Sequence, residues 1–121
     1  LNLVTGVDLI EIERIRDAMK LHGDRFLNRI YTEKEIAENS GRIESLAGRF
    51  AAKEAVAKSL GCGIGDVAWK EIEILRGNSG EPILVLHGAA EKKSKDRGVV
   101  RWSVSVSHTK THAVALAVGM G

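Results

Sequence analysis

The sequence predicts an α+β fold: a single domain over residues 1–121, with a largely antiparallel sheet and one long helix. Three observations point there. Residues 42–60 are rich in alanine (Ala47, Ala51, Ala52, Ala55, Ala57), so helix propensity and pattern agree. Glu71–Arg76 and Pro82–Leu86 flank the turn signal Gly77-Asn78-Ser79-Gly80, which makes them a hairpin. Arg101–Ser107 alternates, with Trp102, Val104 and Val106 on one side and Ser103, Ser105 and Ser107 on the other.

The remaining elements follow in chain order. Leu1–Val7 is short, β-branched and bounded by Gly6, which predicts a strand. From Leu9 to about His22 the spacing is helical: Ile12, Ile15 and Met19 share one face, Glu13, Arg16 and Lys20 the other, and Gly23 stops it. Phe26–Tyr31 fits no single period. Thr32-Glu33-Lys34-Glu35 is a capping box that opens a short helix ending at Ser40-Gly41. Gly61 suits the position just past the long helix. Ala89–Arg97 predicts a short solvated helix, 108–112 a polar loop, and Ala113–Val118 a last strand.

Composition narrows the function. A chain of 121 residues, 44% apolar, can bury roughly two-thirds of its unfolded surface and build one core. The charged fraction of 28% with one proline argues against disorder. No apolar run is long enough to span a bilayer and no signal peptide is readable, so neither membrane nor export is expected and a cytoplasmic location is the default. A single cysteine, Cys62, excludes an internal disulfide and a multi-cysteine zinc site. The net charge of +2 is too mild to announce nucleic acid, and the five aromatics form no obvious stacking set.

Chemistry concentrates at a few positions. Ile43, Ala47, Phe50 and Ala51 share one side of the long helix, and Glu54 points into that stripe. An unpaired carboxylate there costs several kcal/mol (on the order of 2–5), so it calls for a metal ion or a fixed cation, unless it forms a surface i,i+4 pair with Lys58. Asp8, between a strand and a helix, reads either as the first residue of an Asp-x-x-Glu capping box with Glu11 or as a ligand-binding carboxylate at a strand end. Two carboxylates without a thiol or imidazole cluster suit a hard cation such as magnesium, and Lys58 could offset phosphate charge. The glycines at 61, 63 and 65 match neither a P-loop nor a dinucleotide fingerprint. His108 is either a phosphate contact or an ordinary loop histidine. Between Arg14 and Ile30, five basic side chains face two acidic ones, with Leu21, Phe26 and Leu27 interleaved, which fits either a solvated face or a dock for an acidic partner.

The segments Gly6-Val7-Asp8-Leu9-Ile10-Glu11-Ile12-Glu13-Arg14-Ile15 and Arg49-Phe50-Ala51-Ala52-Lys53-Glu54-Ala55-Val56-Ala57-Lys58-Ser59-Leu60-Gly61 resemble the opening and central motifs of the holo-acyl-carrier-protein synthases. Gly80-Glu81-Pro82 and Ser105-Val106-Ser107-His108-Thr109 match two further landmarks in the same order. The resemblance implies a magnesium-dependent 4′-phosphopantetheinyl transferase of fatty acid biosynthesis, which moves the pantetheine arm of coenzyme A to a serine of apo acyl carrier protein and leaves adenosine 3′,5′-bisphosphate. It implies a homotrimer with sites between subunits. Carried onto this sequence, Asp8 and Glu54 become metal ligands and, with Lys58, the catalytic set. Arg49, Lys58, Gly61, Gly80, Pro82, His108 and Thr109 fall at the coenzyme A site, and Arg14, Arg25, Phe26 and Arg29 in the carrier-docking region. The base that takes the serine proton stays open among Glu54, Asp8 and water. A basic nucleic-acid module and a coenzyme A-binding subunit without turnover are the competing readings.

Overall fold

A computed structural model describes residues 2–121; Leu1, where the first expected strand begins, lies outside the described residues. Five strands and five α-helices run β1 (Leu3–Glu11), α1 (Ile12–His22), α2 (Asp24–Ile30), α3 (Glu33–Glu38), α4 (Ile43–Ser59), β2 (Ile72–Arg76), β3 (Pro82–Leu86), α5 (Gly88–Asp96), β4 (Arg101–His108) and β5 (His112–Met120). A 3-10 turn, Trp69–Glu71, leads into β2. The strands form an antiparallel three-stranded sheet in the order β1-β5-β4 and a separate antiparallel hairpin, β2-β3. The α+β class is as the sequence predicts.

Small side chains let α4 lie against the sheet. The row of β5 that faces inward is Ala113, Ala115, Ala117 and Gly119, all buried. Opposite it on α4, Ala47, Gly48, Ala51, Ala52 and Ala55 are buried too. Backbones therefore approach closely, and Gly6 marks the tightest point: a Cβ there would overlap the carbonyl oxygen of Ala55. The face of α4 turned away from the sheet is also buried, so the helix is enclosed on nearly all sides and its amphipathic stripe is weaker than the sequence suggests.

β1 runs four residues beyond its expected end. Leu9 and Ile10, expected in α1, pair with Val114 and Ala113 of β5. Long-range pairing has overridden local helical spacing. Asp8 therefore sits inside a strand, and the expected Asp8–Glu11 capping box is absent: Glu11 precedes α1 without a side-chain cap, and the Ile12 N–H donates instead to Thr111 O at 2.8 Å. The Thr32–Glu35 capping box does form, with Thr32 Oγ1 accepting from the Glu35 N–H and Glu35 Oε1 from the Thr32 N–H. Phe26–Tyr31, ambiguous by period, falls in α2 up to Ile30, with Tyr31 capping the helix, and Phe26 packs edge-on against buried Tyr31.

Inside the core lies an ion pair that the sequence does not announce. Lys53, fully buried, donates to Glu35 Oε1 (2.8 Å), Trp69 O (3.0 Å) and Ile72 O (2.6 Å). Glu35 Oε2 accepts from the Ile74 N–H. All three ammonium donors are used, and the network joins α3, α4 and β2. The outer face of the three-stranded sheet is bare: Leu3, Val7, Leu9, Leu116 and Met120 are exposed along it. Among the described residues no helix is long and apolar enough to cross a membrane.

Candidate functional site

Strand alternation puts Asp8 on the same face of β1 as buried Gly6 and Ile10, toward α4. The close approach at Gly6 and Ala55 brings that face against the helix just where Glu54 projects. Asp8 and Glu54 line one cavity of about 370 Å³, whose walls include Phe50, Ile15 and Phe26. Phe50 is braced by Trp69, with ring centroids 4.6 Å apart. Burial, then the negative charge of Asp8, push the Glu54 carboxyl above the usual carboxylate range, and Lys58 pulls it back in part.

Lys58 does not pair with Glu54 along the helix surface. It crosses to β1, where its Nζ donates to Asp8 Oδ1 at 2.9 Å and to Val7 O at 3.2 Å. The three proposed catalytic residues thus meet at one place, from two elements far apart in sequence. Both carboxylates have the oxygen donors a hard cation takes. Among the described residues no cluster of three or more His, Cys, Asp or Glu could hold a metal, so any ion here would complete its shell with water or phosphate oxygens.

Arg49, Gly80, Pro82 and His108 line a second cavity of about 410 Å³. Arg42 and Arg76, which sequence reasoning did not single out, line it too. Each of these two arginines donates to Glu38 O at the end of α3, at 2.7 and 3.2 Å. Arg49 is 6% exposed, and its buried Nε has no hydrogen-bond partner among the described residues. Burial, then the charge of Arg76, lower its pKa from the usual guanidinium value. Three guanidiniums lining one cavity attract an anion. Nothing local in sequence marks Arg76: it ends a strand, and its partners come from the region of α3.

Two other expected contacts have structural roles of their own. Gly61 follows α4 with φ +71°, and a Cβ there would press on the Arg97 guanidinium. Thr109 Oγ1 accepts from the N–H groups of Thr111 and His112, closing the turn beside His108. Thr109 and His108 border a shallower depression with Glu44 and Lys110. Of the docking candidates, Arg14 and Phe26 line the carboxylate cavity, and Arg25, Phe26 and Arg29 surround an adjoining hollow with His22. The carboxylate cavity and the arginine cavity share no lining residue among the described residues.

Known proteins resemble this arrangement along almost the whole chain. Residues 5–117 match the family described as the 4′-phosphopantetheinyl transferase superfamily. A holo-[acyl-carrier-protein] synthase of Herpetosiphon aurantiacus is 48% identical, over 98% of this chain and 99% of its own. The crystal structure of the Helicobacter pylori holo-[acyl-carrier-protein] synthase in complex with coenzyme A superposes with a TM-score of 0.88 at 30% identity, covering 96% of this chain and 99% of that one. The Neisseria meningitidis synthase superposes with a TM-score of 0.88 at 34% identity, covering 98% of each chain. A family match spanning nearly every element, together with these identities, leads to one conclusion: the chain belongs to the 4′-phosphopantetheinyl transferase superfamily.

Proposed function

We propose that the protein moves the 4′-phosphopantetheine arm of coenzyme A to a serine of apo acyl carrier protein, within fatty acid biosynthesis in the cytoplasm, with magnesium held by Asp8 and Glu54. The observation that carries this reading is the meeting of Asp8 and Glu54 on one cavity, with the Lys58 ammonium already bonded to Asp8. That ammonium is a stand-in cation: the carboxylate accepts positive charge at that point. When bound, the metal would supply charge neutralisation at the diphosphate of coenzyme A.

The chain's own groups do the rest. Lys58, on a flexible stem, reaches a phosphate oxygen and offsets charge that grows during transfer. The carrier's serine oxygen bonds to the phosphorus bearing pantetheine, the bond from that phosphorus to adenosine 3′,5′-bisphosphate breaks, and the serine proton leaves with Asp8 or Glu54 as the carboxylates at hand. Arg49, Gly80, Pro82 and His108 hold coenzyme A. Thr109 fixes the turn that carries His108, and Gly61 ends the helix that carries Lys58. Arg14, Arg25, Phe26 and Arg29, next to the carboxylate cavity, receive the acidic carrier.

A homotrimer completes the reading. The separation of the arginine cavity from the carboxylate cavity within one chain suits a ligand that spans one copy's arginines and a neighbour's carboxylates, and the exposed apolar face of the sheet supports burial against other copies. Neither nucleic acid nor membrane enters this reading. The test is to incubate the protein with coenzyme A, magnesium and an apo carrier, then weigh the carrier by mass spectrometry. A phosphopantetheine mass gain that disappears with EDTA is expected. No gain on any fatty-acid carrier would leave coenzyme A binding without transfer.

A further inference from the structure

Lys58 occupies Asp8, the carboxylate proposed above to hold the metal. Its Nζ takes Asp8 Oδ1 at 2.9 Å and Val7 O at 3.2 Å, while its side chain is 53% exposed. The Asp8 side chain is only 17% exposed, so a second cation reaches that carboxylate through the cavity it lines with Glu54. An ammonium and a divalent ion on one carboxylate repel each other, more strongly in a partly enclosed site than in water. The half-exposed, flexible stem makes Lys58 the partner that yields.

We infer that Lys58 is a tethered counter-ion which competes with the divalent metal for Asp8 and leaves it when a phosphate anion arrives, so that metal and substrate bind with positive coupling. The inference rests on Asp8 and Glu54 being the metal ligands and adds to that reading an order of events. Substrate phosphates draw the ammonium off Asp8 Oδ1, and the freed oxygen turns to the metal. By linkage, the factor by which substrate tightens metal binding equals the factor by which metal tightens substrate. The site would thus resist loading with metal alone and take metal together with its phosphate ligand.

The test measures binding, with no carrier and no turnover. Mn²⁺ is titrated into the full chain and the free ion is read by electron paramagnetic resonance, with and without saturating coenzyme A. Lys58→Gln keeps an N–H donor but drops the charge, whereas Lys58→Arg keeps the charge. Without coenzyme A, Lys58→Gln is expected to bind Mn²⁺ about tenfold tighter than the wild type and Lys58→Arg to resemble the wild type. Coenzyme A should tighten Mn²⁺ binding about tenfold less in Lys58→Gln than in the wild type. Equal or weaker Mn²⁺ binding by Lys58→Gln overturns the inference, as does tightening in Lys58→Arg. Asp8→Asn separates the two levels. If it weakens Mn²⁺ binding while Lys58→Gln leaves it unchanged, only the counter-ion role fails. If it binds Mn²⁺ as the wild type does, the metal assignment fails and the counter-ion role with it.

Discussion

A carboxyl pushed up by burial and by a like-charged neighbour, as Glu54 is, disfavours its ionised form in the fold. Such a group contributes stability at low pH that is lost as pH rises through its folded pKa. In EDTA at pH 7–8, Glu54→Gln should therefore raise Tm by about 1–3 °C in a thermal scan, while lowering transfer by about 10²-fold or more. An unchanged rate would remove Glu54 from the site. Burial disfavours the charge of Lys53 as well, but removing that charge has the opposite effect on stability. Lys53→Met leaves Glu35 buried without its cation and should cost about 3–5 kcal/mol in urea unfolding. Adding Glu35→Gln should give a double variant less destabilised than the two single costs combined. These residues also differ in legibility. Glu54 is legible because it points into an apolar side of the long helix, and Lys58 because it lies one turn further along from Glu54. Lys53 has no such signal: Arg49, Phe50, Val56 and Ala57 occupy its i±3 and i±4 positions, so its own helix offers no carboxylate partner. Its partner on α3 became visible only in three dimensions.

Thr32 shows what an element boundary can hold together. Its hydroxyl accepts from the Glu35 N–H and donates to Glu73 Oε2 at 2.6 Å, while His87 Nε2 lies 3.0 Å from Glu73 Oε1. Burial alone would raise the pKa of Glu73, but the Thr32 and His87 hydrogen bonds outweigh it and hold the carboxyl below the usual range. A lowered folded pKa adds stability above the unfolded value, about 4.3, and loses it as pH falls through the folded value. Thr32→Ala should cost about 1–2 kcal/mol at pH 7 and move the onset of acid unfolding to higher pH, measured by circular dichroism. The Thr32 box was readable because both partners lie within one turn. The Asp8–Glu11 box failed because β5, at the far end of the sequence, claims those residues for a strand. Element types were largely legible from period and turn chemistry, and the missed β1 boundary is where a long-range pairing decided.

At the scale of the molecule, the order β1-β5-β4 and the split between the two cavities had no local signature, since neighbours in a sheet need not be neighbours in the chain. If one ligand spans two copies, Glu54→Gln and His108→Ala variants, each weakly active, should recover activity when unfolded together and reassembled, because some sites then draw both intact halves. An activity no higher than either variant alone would count against sharing. Val7→Lys on the bare sheet face should shift sedimentation toward the monomer. Carrier docking belongs to this scale as well. Arg25→Glu should weaken carrier binding about tenfold and flatten its salt dependence, read by titration at two ionic strengths. The pairing of Leu3 with Met120 and of Asp8 with Ala115 has one more consequence. The ribosome makes the first strand early but cannot give it its hydrogen-bonding neighbour until residues 112–120 have emerged. Until then the Asp8 carboxylate has no fixed address: a nascent chain released short of that last strand would carry Asp8, Glu54 and Lys58, yet lack the strand that sets Asp8 against the long helix.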